Sequence, residues 1–190
     1  MEKGLAIITG ADGGMGQVIT AALAKEGYPV IMACLDPEKA ASLCNRIQQE
    51  TGNTQIEVRR IDLASLSSVN NFTGQLLKEG RPVSRLMNNA GILTTPVRKT
   101  EDGLETIVSV NYVAPYMLTR QLLPLMQPGC RIVNTVSCTY AIGRIEPDFF
   151  EKGRNGRFFR IPVYSNTKLA LLLFTQELAE RLQNQGITIN

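Results

Sequence analysis

Histidine is missing altogether from the 190 residues. Its absence excludes Ser-His-Asp and Cys-His catalysis, both of which need an imidazole to take the nucleophile's proton. Cysteine is sparse, and Cys34, Cys44, Cys130 and Cys138 stand at no metal-ligand spacing. The expectation is reduced thiols in a cytoplasmic protein. No apolar run approaches the about eighteen residues that a membrane-spanning helix needs. Charge of one sign is lacking too. Lys and Arg number 20 against 17 Asp and Glu, net +3, and the basic residues form no tract, which disfavours nucleic acid as a partner. Hydrophobic content of 44% and charged content of 19% are those of a globular rather than a disordered chain. This length makes one domain the expectation for residues 1–190, with a sizeable core. Met1-Glu2-Lys3-Gly4 runs straight into an apolar segment, so no signal peptide is expected.

What is present is a regular alternation. Apolar runs at Leu5–Thr9, Pro29–Ala33, Gln55–Arg60, Ser84–Asn88, Arg131–Val136 and Ile187–Asn190 read as strands. Their continuity suits strands covered on both faces. Helical patterns lie near 15–26, 38–51, 66–79, 103–127 and 164–184. Units of about thirty residues are βαβ-sized and predict an α/β fold: a doubly wound parallel sheet with helices on both faces, as in a Rossmann fold. The chain stops within its last strand-like run, so it is expected to be truncated at its carboxyl end.

Thr9-Gly10-Ala11-Asp12-Gly13-Gly14-Met15-Gly16 follows the first strand directly. Glycines there permit a tight turn, close approach of backbone to a pyrophosphate and close helix-strand packing, and the helix amides then face the phosphates. Glycines also make ordinary loops; the position between strand and helix carries the functional reading. At the end of the second strand, Ala33-Cys34-Leu35-Asp36-Pro37 offers no arginine for a 2′-phosphate, and Asp36 comes one or two residues late for a ribose hydroxyl. The charge argument leans towards NAD(H) over NADP(H). Tyr164 and Lys168 are four apart and share a helix face. An ammonium beside a phenol lowers its pKa and fits it for acid-base work on a carbonyl-alcohol pair. An exposed surface pair is the ordinary alternative. Ser137 ends a buried strand at the edge where parallel sheets place ligands, although a serine there also simply starts a turn. Asn88-Asn89-Ala90-Gly91 ends another strand at that edge, and Asn111 sits mid-helix, where its side chain competes with the backbone.

Taken together, Thr9-Gly10-x-x-x-Gly14-x-Gly16, Asp62-Leu63, Asn88-Asn89-Ala90-Gly91, Asn111, Ser137 and Tyr164-x-x-x-Lys168 resemble the short-chain dehydrogenase/reductase family, in its order and over essentially the whole chain. The stretch from Lys168 to Ala179 is similar to the branch of retinol-dehydrogenase-like and WW-domain-oxidoreductase-like proteins. The resemblance implies an NAD(P)(H)-dependent oxidoreductase acting on a small carbonyl or alcohol. Tyr164 would be the proton donor and Ser137 the carbonyl-orienting hydroxyl. Lys168 would lower the tyrosine's pKa and bind ribose, and Asn111 would hold a relay water. Cofactor contacts are implied at Thr9, Gly10, Asp12, Gly14, Met15, Gly16, Leu35, Asp62, Leu63, Asn89, Ala90, Gly91, Tyr164 and Lys168. Leu35 departs from the arginine this branch often carries, and Val136 from its second serine. By that resemblance, the family's Pro-Gly turn, substrate loop and last strand are expected to be missing after Asn190.

The 26 residues between Ser137 and Tyr164 hold Phe149, Phe150, Phe158 and Phe159 among Arg144, Lys152, Arg154, Arg157 and Arg160. A lid over an apolar substrate, a weak membrane-surface contact and a solvated loop are the readings. The long helices near 103–127 and 164–184 offer a homo-oligomer interface. Two other functions fit the fold: a catalytically idle nucleotide-binding regulator, and a sugar epimerase or dehydratase, which the glycine spacing disfavours.

Overall fold

The strand that opens the fold, β1 (Leu5–Thr9), is buried at every position because it is covered on both faces. Ala6 and Ile8 point into one core and Leu5 and Ile7 into the other. A period-2 alternation of purely apolar residues is what such a strand requires. β2 (Val30–Cys34) repeats the pattern, with Val30 and Met32 on one side and Ile31 and Ala33 on the other. In this computed structural model, which describes residues 3–94, 96–150 and 157–190, six parallel strands run in the order β3-β2-β1-β4-β5-β6. The others are β3 (Ile56–Arg60), β4 (Val83–Asn88), β5 (Met126–Asn134) and β6 (Thr188–Ile189).

Helices α1 (Gly14–Lys25) and α2 (Pro37–Thr51) cover the first face, through Ala24, Ala40, Cys44 and Ile47. Helices α3 (Leu66–Glu79), α5 (Ala114–Leu122) and α6 (Arg157–Leu182) cover the second, through Phe72, Leu76, Leu118, Leu122, Leu178 and Leu182. Each fully buried Leu or Ile in these layers contributes about 1.5–3 kcal/mol. Local signals set the helix ends. Asp36 accepts from the Lys39 amide and Pro37 occupies the first turn of α2, while Gly52 closes it at φ 69°. Ser65 caps α3 and Gly80 ends it at φ 64°. The strand order reverses between β1 and β4, so a crevice opens at their carboxyl ends.

The expected doubly wound sheet is present, with differences in detail. The helix expected over 103–127 is a short α4 (Thr106–Val108), a π turn (Ser109–Val113), α5 and a 3-10 turn (Leu123–Leu125), after which β5 already begins at Met126. Pro124 and Pro128 punctuate that stretch, and Gly129 takes φ 92° within the strand's first half. β5 ends at Asn134, two residues before the expected Val136, although the Thr135 amide still donates to the Asn88 carbonyl at 3.0 Å. Helix α6 starts at Arg157 and takes Pro162 into its first turns, so Tyr164 lies inside the helix and does not open it.

Candidate active site

Gly10 adopts φ +61°, and a Cβ there would meet Ala90 Cα at 3.1 Å, so the turn leaving β1 lies directly against the segment leaving β4. Hydrogen bonds lock the two together. Thr9 Oγ1 accepts from the amides of Asn89 and Ala90, each at 3.1 Å, and Asn89 Nδ2 donates to the carbonyls of Thr9 and Gly10 at 3.1 and 3.2 Å. Asn89 Oδ1 is buried with no partner among the described residues. Gly13 is the N-cap of α1 and offers no side chain to its amides. A Cβ on Gly16 would sit 2.1 Å from the Gly10 carbonyl oxygen, whereas one on Gly14 would meet nothing within 4 Å. The three glycines thus serve a turn, an open approach and a close packing contact.

These elements enclose a cavity of about 530 Å³. Gly10, Asp12, Gly14, Met15, Leu35, Asp62, Leu63, Asn89, Ala90 and Gly91 all line it. Thr9 and Gly16, also singled out in the sequence, are buried behind its wall. Asp62 Oδ1 accepts from the Ala64 amide at 2.9 Å, which fixes the carboxylate at the rim. Leu35 is 60% exposed. Burial pushes the Cys34 thiol up to about 12, with the carboxylate of Asp12 adding to the effect, so Cys34 stays protonated beside the glycine turn. Asp36 faces elsewhere, capping α2 and pairing with Lys39 Nζ at 2.8 Å.

Across the crevice the side chains from α6 and the π turn converge. Asn111 is fully buried; its Oδ1 accepts from the Ile92 amide at 2.8 Å and its Nδ2 donates to the Ile92 carbonyl at 2.9 Å. The competition expected of a mid-helix asparagine is resolved by the π turn, which frees the side chain to bracket a neighbouring segment. Lys168 Nζ donates to the Thr135 carbonyl at 2.7 Å and lies 5.5 Å from the centre of the Tyr164 ring. Burial brings the Lys168 ammonium down to about 8. A Cβ on Gly91 would be 3.4 Å from Lys168 Nζ and 3.5 Å from Asn111 Oδ1. The cavity wall, Asn111 and Lys168 therefore meet at one glycine. Ser137 opens a 3-10 turn (Cys138–Ile142), its Oγ accepting from the Thr139 amide and hydroxyl at 3.3 and 3.1 Å. That turn docks on α6: a Cβ on Gly143 would be 2.6 Å from the Ser165 carbonyl oxygen, and the Arg144 amide donates to Asn166 Oδ1 at 2.7 Å.

Several participants carried no sequence signal. Thr135 acts through its carbonyl, which any residue supplies. Arg160 counted among the cations of the long segment, yet it is fully buried against Glu105. Its spacing of four from Tyr164 was the one available hint. Phe149 is buried and Phe150 half-exposed. Lys152 and Arg154, and the side chains of Arg157, Phe158 and Phe159, lie outside the described residues. Among the described residues no helix is long and apolar enough to cross a membrane.

Known proteins resemble this chain in sequence and fold. The chain is similar to human retinol dehydrogenase 13, with 37% identity over 186 residues, covering 97% of this chain and 56% of that protein. Mouse retinol dehydrogenase 12 is 38% identical over 184 residues, covering 96% and 58% respectively. The chain thus spans a little over half the length of these curated relatives. Among solved structures, an uncharacterized protein from Mycobacterium paratuberculosis superposes with a TM-score of 0.83 at 36% identity, over 100% of this chain and 66% of that one. A family described as short chain dehydrogenase matches residues 4–147, from the first strand through the turn that carries Ser137, and the chain belongs to that family, on its retinol-dehydrogenase-like branch.

Proposed function

We propose that the cavity holds a nicotinamide dinucleotide and that the chain catalyses oxidoreduction between an alcohol and a carbonyl. The observation that carries this is the meeting of the glycine-turn cavity with Asn111 and Lys168 at Gly91, one helical turn from Tyr164. The residues present suit the group. The uncapped amides of α1 and the open approach at Gly14 match a pyrophosphate, and Asn89 Oδ1 offers an unused acceptor. When bound, the nicotinamide supplies or accepts the hydride. The chain supplies the rest. Tyr164 moves the proton at the substrate oxygen, and Ser137 Oγ orients that oxygen. Lys168, with its pKa brought into the working range by burial, holds charge beside the phenol and passes protons on. Asn111 positions the relay through its grip on Ile92.

The described lining includes the carboxylates of Asp12 and Asp62 and no lysine or arginine. A 2′-phosphate would meet like charge there, which supports NAD(H) over NADP(H). Val136, Tyr140, Ile142 and Ile145 expose apolar surface around Ser137, which supports an apolar substrate; retinol, named by the relatives, is the first to try. Tyr116 and Leu173 expose apolar surface on α5 and α6, which supports a homo-oligomer.

The test is thermal unfolding with NADH or NADPH, followed by turnover of retinol with the oxidised nucleotide that binds. At a hundred times its dissociation constant, the nucleotide adds about 2.7 kcal/mol of stability. A shift larger with NADH supports the whole reading. No shift with either nucleotide in the full-length protein overturns it.

A further inference from the structure

Arg160 and Glu105 are both fully buried and form an ion pair through Arg160 Nη2 and Glu105 Oε1. Each partner has a second engagement. Arg160 Nε donates to the Thr94 carbonyl at 2.9 Å, and Glu105 Oε2 accepts from the amides of Ile107 and Val108 at 2.8 and 3.2 Å. One guanidinium therefore ties together three backbones. The first is the segment after Gly91, whose Ile92 is bracketed by Asn111. The second is the start of α4, which leads directly into the π turn that carries Asn111. The third is α6 itself, where Arg160, Tyr164 and Lys168 follow at intervals of four on one face.

A buried ion pair is an inefficient way to hold elements together, because apolar residues of similar volume usually stabilise as well or better. This one is also incompletely satisfied: Arg160 Nη1 and Thr94 Oγ1 are buried with no partner among the described residues. What a planar fork provides that a leucine does not is a fixed angle and distance between the groups it bridges. Resting on the oxidoreductase reading above, we infer that Arg160 is a positioning residue. Its bridge from Thr94 to Glu105 sets the Tyr164 face of α6 against Asn111 and the Gly91 wall, and so governs the rate of the chemical step and not the affinity for nucleotide.

The experiment uses the full-length protein with Arg160→Met, Arg160→Lys and the double variant Glu105→Gln/Arg160→Met, assayed with retinol and the oxidised nucleotide well below each variant's unfolding temperature. Arg160→Met should lower kcat by about 10–100-fold, the scale of a 1 Å misplacement, while the nucleotide KM stays within about twofold. Arg160→Lys, which keeps the charge and loses the fork, should recover kcat only in part. The double variant, free of an unpaired buried carboxylate, should recover thermal stability but not kcat. If Arg160→Met does not fold, the double variant carries the test. Recovery of kcat together with stability in the double variant, or a kcat within about twofold of wild type in Arg160→Met, overturns the inference. A wild-type protein that turns over nothing would sink the oxidoreductase reading separately. The titration of Tyr164, followed by its 13Cζ resonance, then decides this one: a titration moved in the double variant supports positioning, and an unmoved one overturns it.

Discussion

The two halves of the sheet are built by different means. From β1 to α2, the chain is fixed mainly by shape: strands apolar but for Thr9, alanines and glycines at the contacts, and a turn in which one carbonyl leaves no room for a Cβ on Gly16. From β4 to α6, it is fixed by buried hydrogen bonds. Asn88 Nδ2 donates to Thr119 Oγ1 and to Asn134 Oδ1 at 2.9 and 2.7 Å, and Asn134 Nδ2 donates to Thr175 Oγ1 at 2.8 Å. Asn111, Glu105, Arg160, Thr167 and Lys168 are buried in the same half. On the function proposed above, the first half need only receive a ligand by shape, whereas the second would move a proton, which requires polar atoms held at fixed positions that are costly to bury.

Four substitutions would break or sharpen this contrast. The largest effect belongs to Tyr164→Phe. It should cut turnover about 10²–10⁴-fold while leaving nucleotide-induced stabilisation intact; loss of nucleotide binding instead would erase the division of labour between the halves. Lys168 measures the burial cost directly. Its folded pKa of about 8 lies below the ordinary 10.5, so the unfolded chain holds the proton more tightly. The destabilisation is complete below about pH 8, fades between pH 8 and 10.5, and is gone above. Wild type should therefore gain stability relative to Lys168→Met between pH 7 and about pH 11, by roughly 3 kcal/mol, in paired denaturant titrations. A flat difference would show that the ammonium is better solvated than its burial implies. Gly16→Ala attacks the other half. It should destabilise by about 1–3 kcal/mol and weaken nucleotide binding, because only backbone movement accommodates the methyl group. The smallest effect is expected of Leu35→Arg, which adds a cation where none stands among the described lining residues and should favour NADPH by about tenfold in calorimetric binding.

The same contrast explains what the sequence could disclose. Apolar alternation and glycine spacing are properties of residue types, so the strands around β1 and β2 and the cavity wall from Gly10 to Leu35 are legible in the sequence itself. The second half was legible only where a motif marked it, at Asn111, Ser137, Tyr164 and Lys168. Thr135 contributes a backbone oxygen, and Arg160 belongs to a stretch for which a lid, a membrane-surface contact and a solvated loop are all open readings; its burial depends on Thr94 and Glu105, which are 66 and 55 residues away. Helix ends near Pro124 and Pro162 were misplaced for a related reason. A proline's effect depends on its position in a turn that sequence alone does not number.

The π turn at Ser109–Val113 has a consequence for counting residues along its helix. Before it, Ile107 and Val108 pack with Phe149, Val163 and Ala170 beside Tyr164. After it, Ala114, Leu118 and Leu122 pack into the main core under the sheet. The wider turn shifts the helical phase, so one continuous segment addresses two cores in succession. Deleting a single residue between 109 and 113 would restore a regular helix and point one of those apolar sets at the wrong neighbour. The length of this segment is therefore a tighter constraint than the identity of most residues in it.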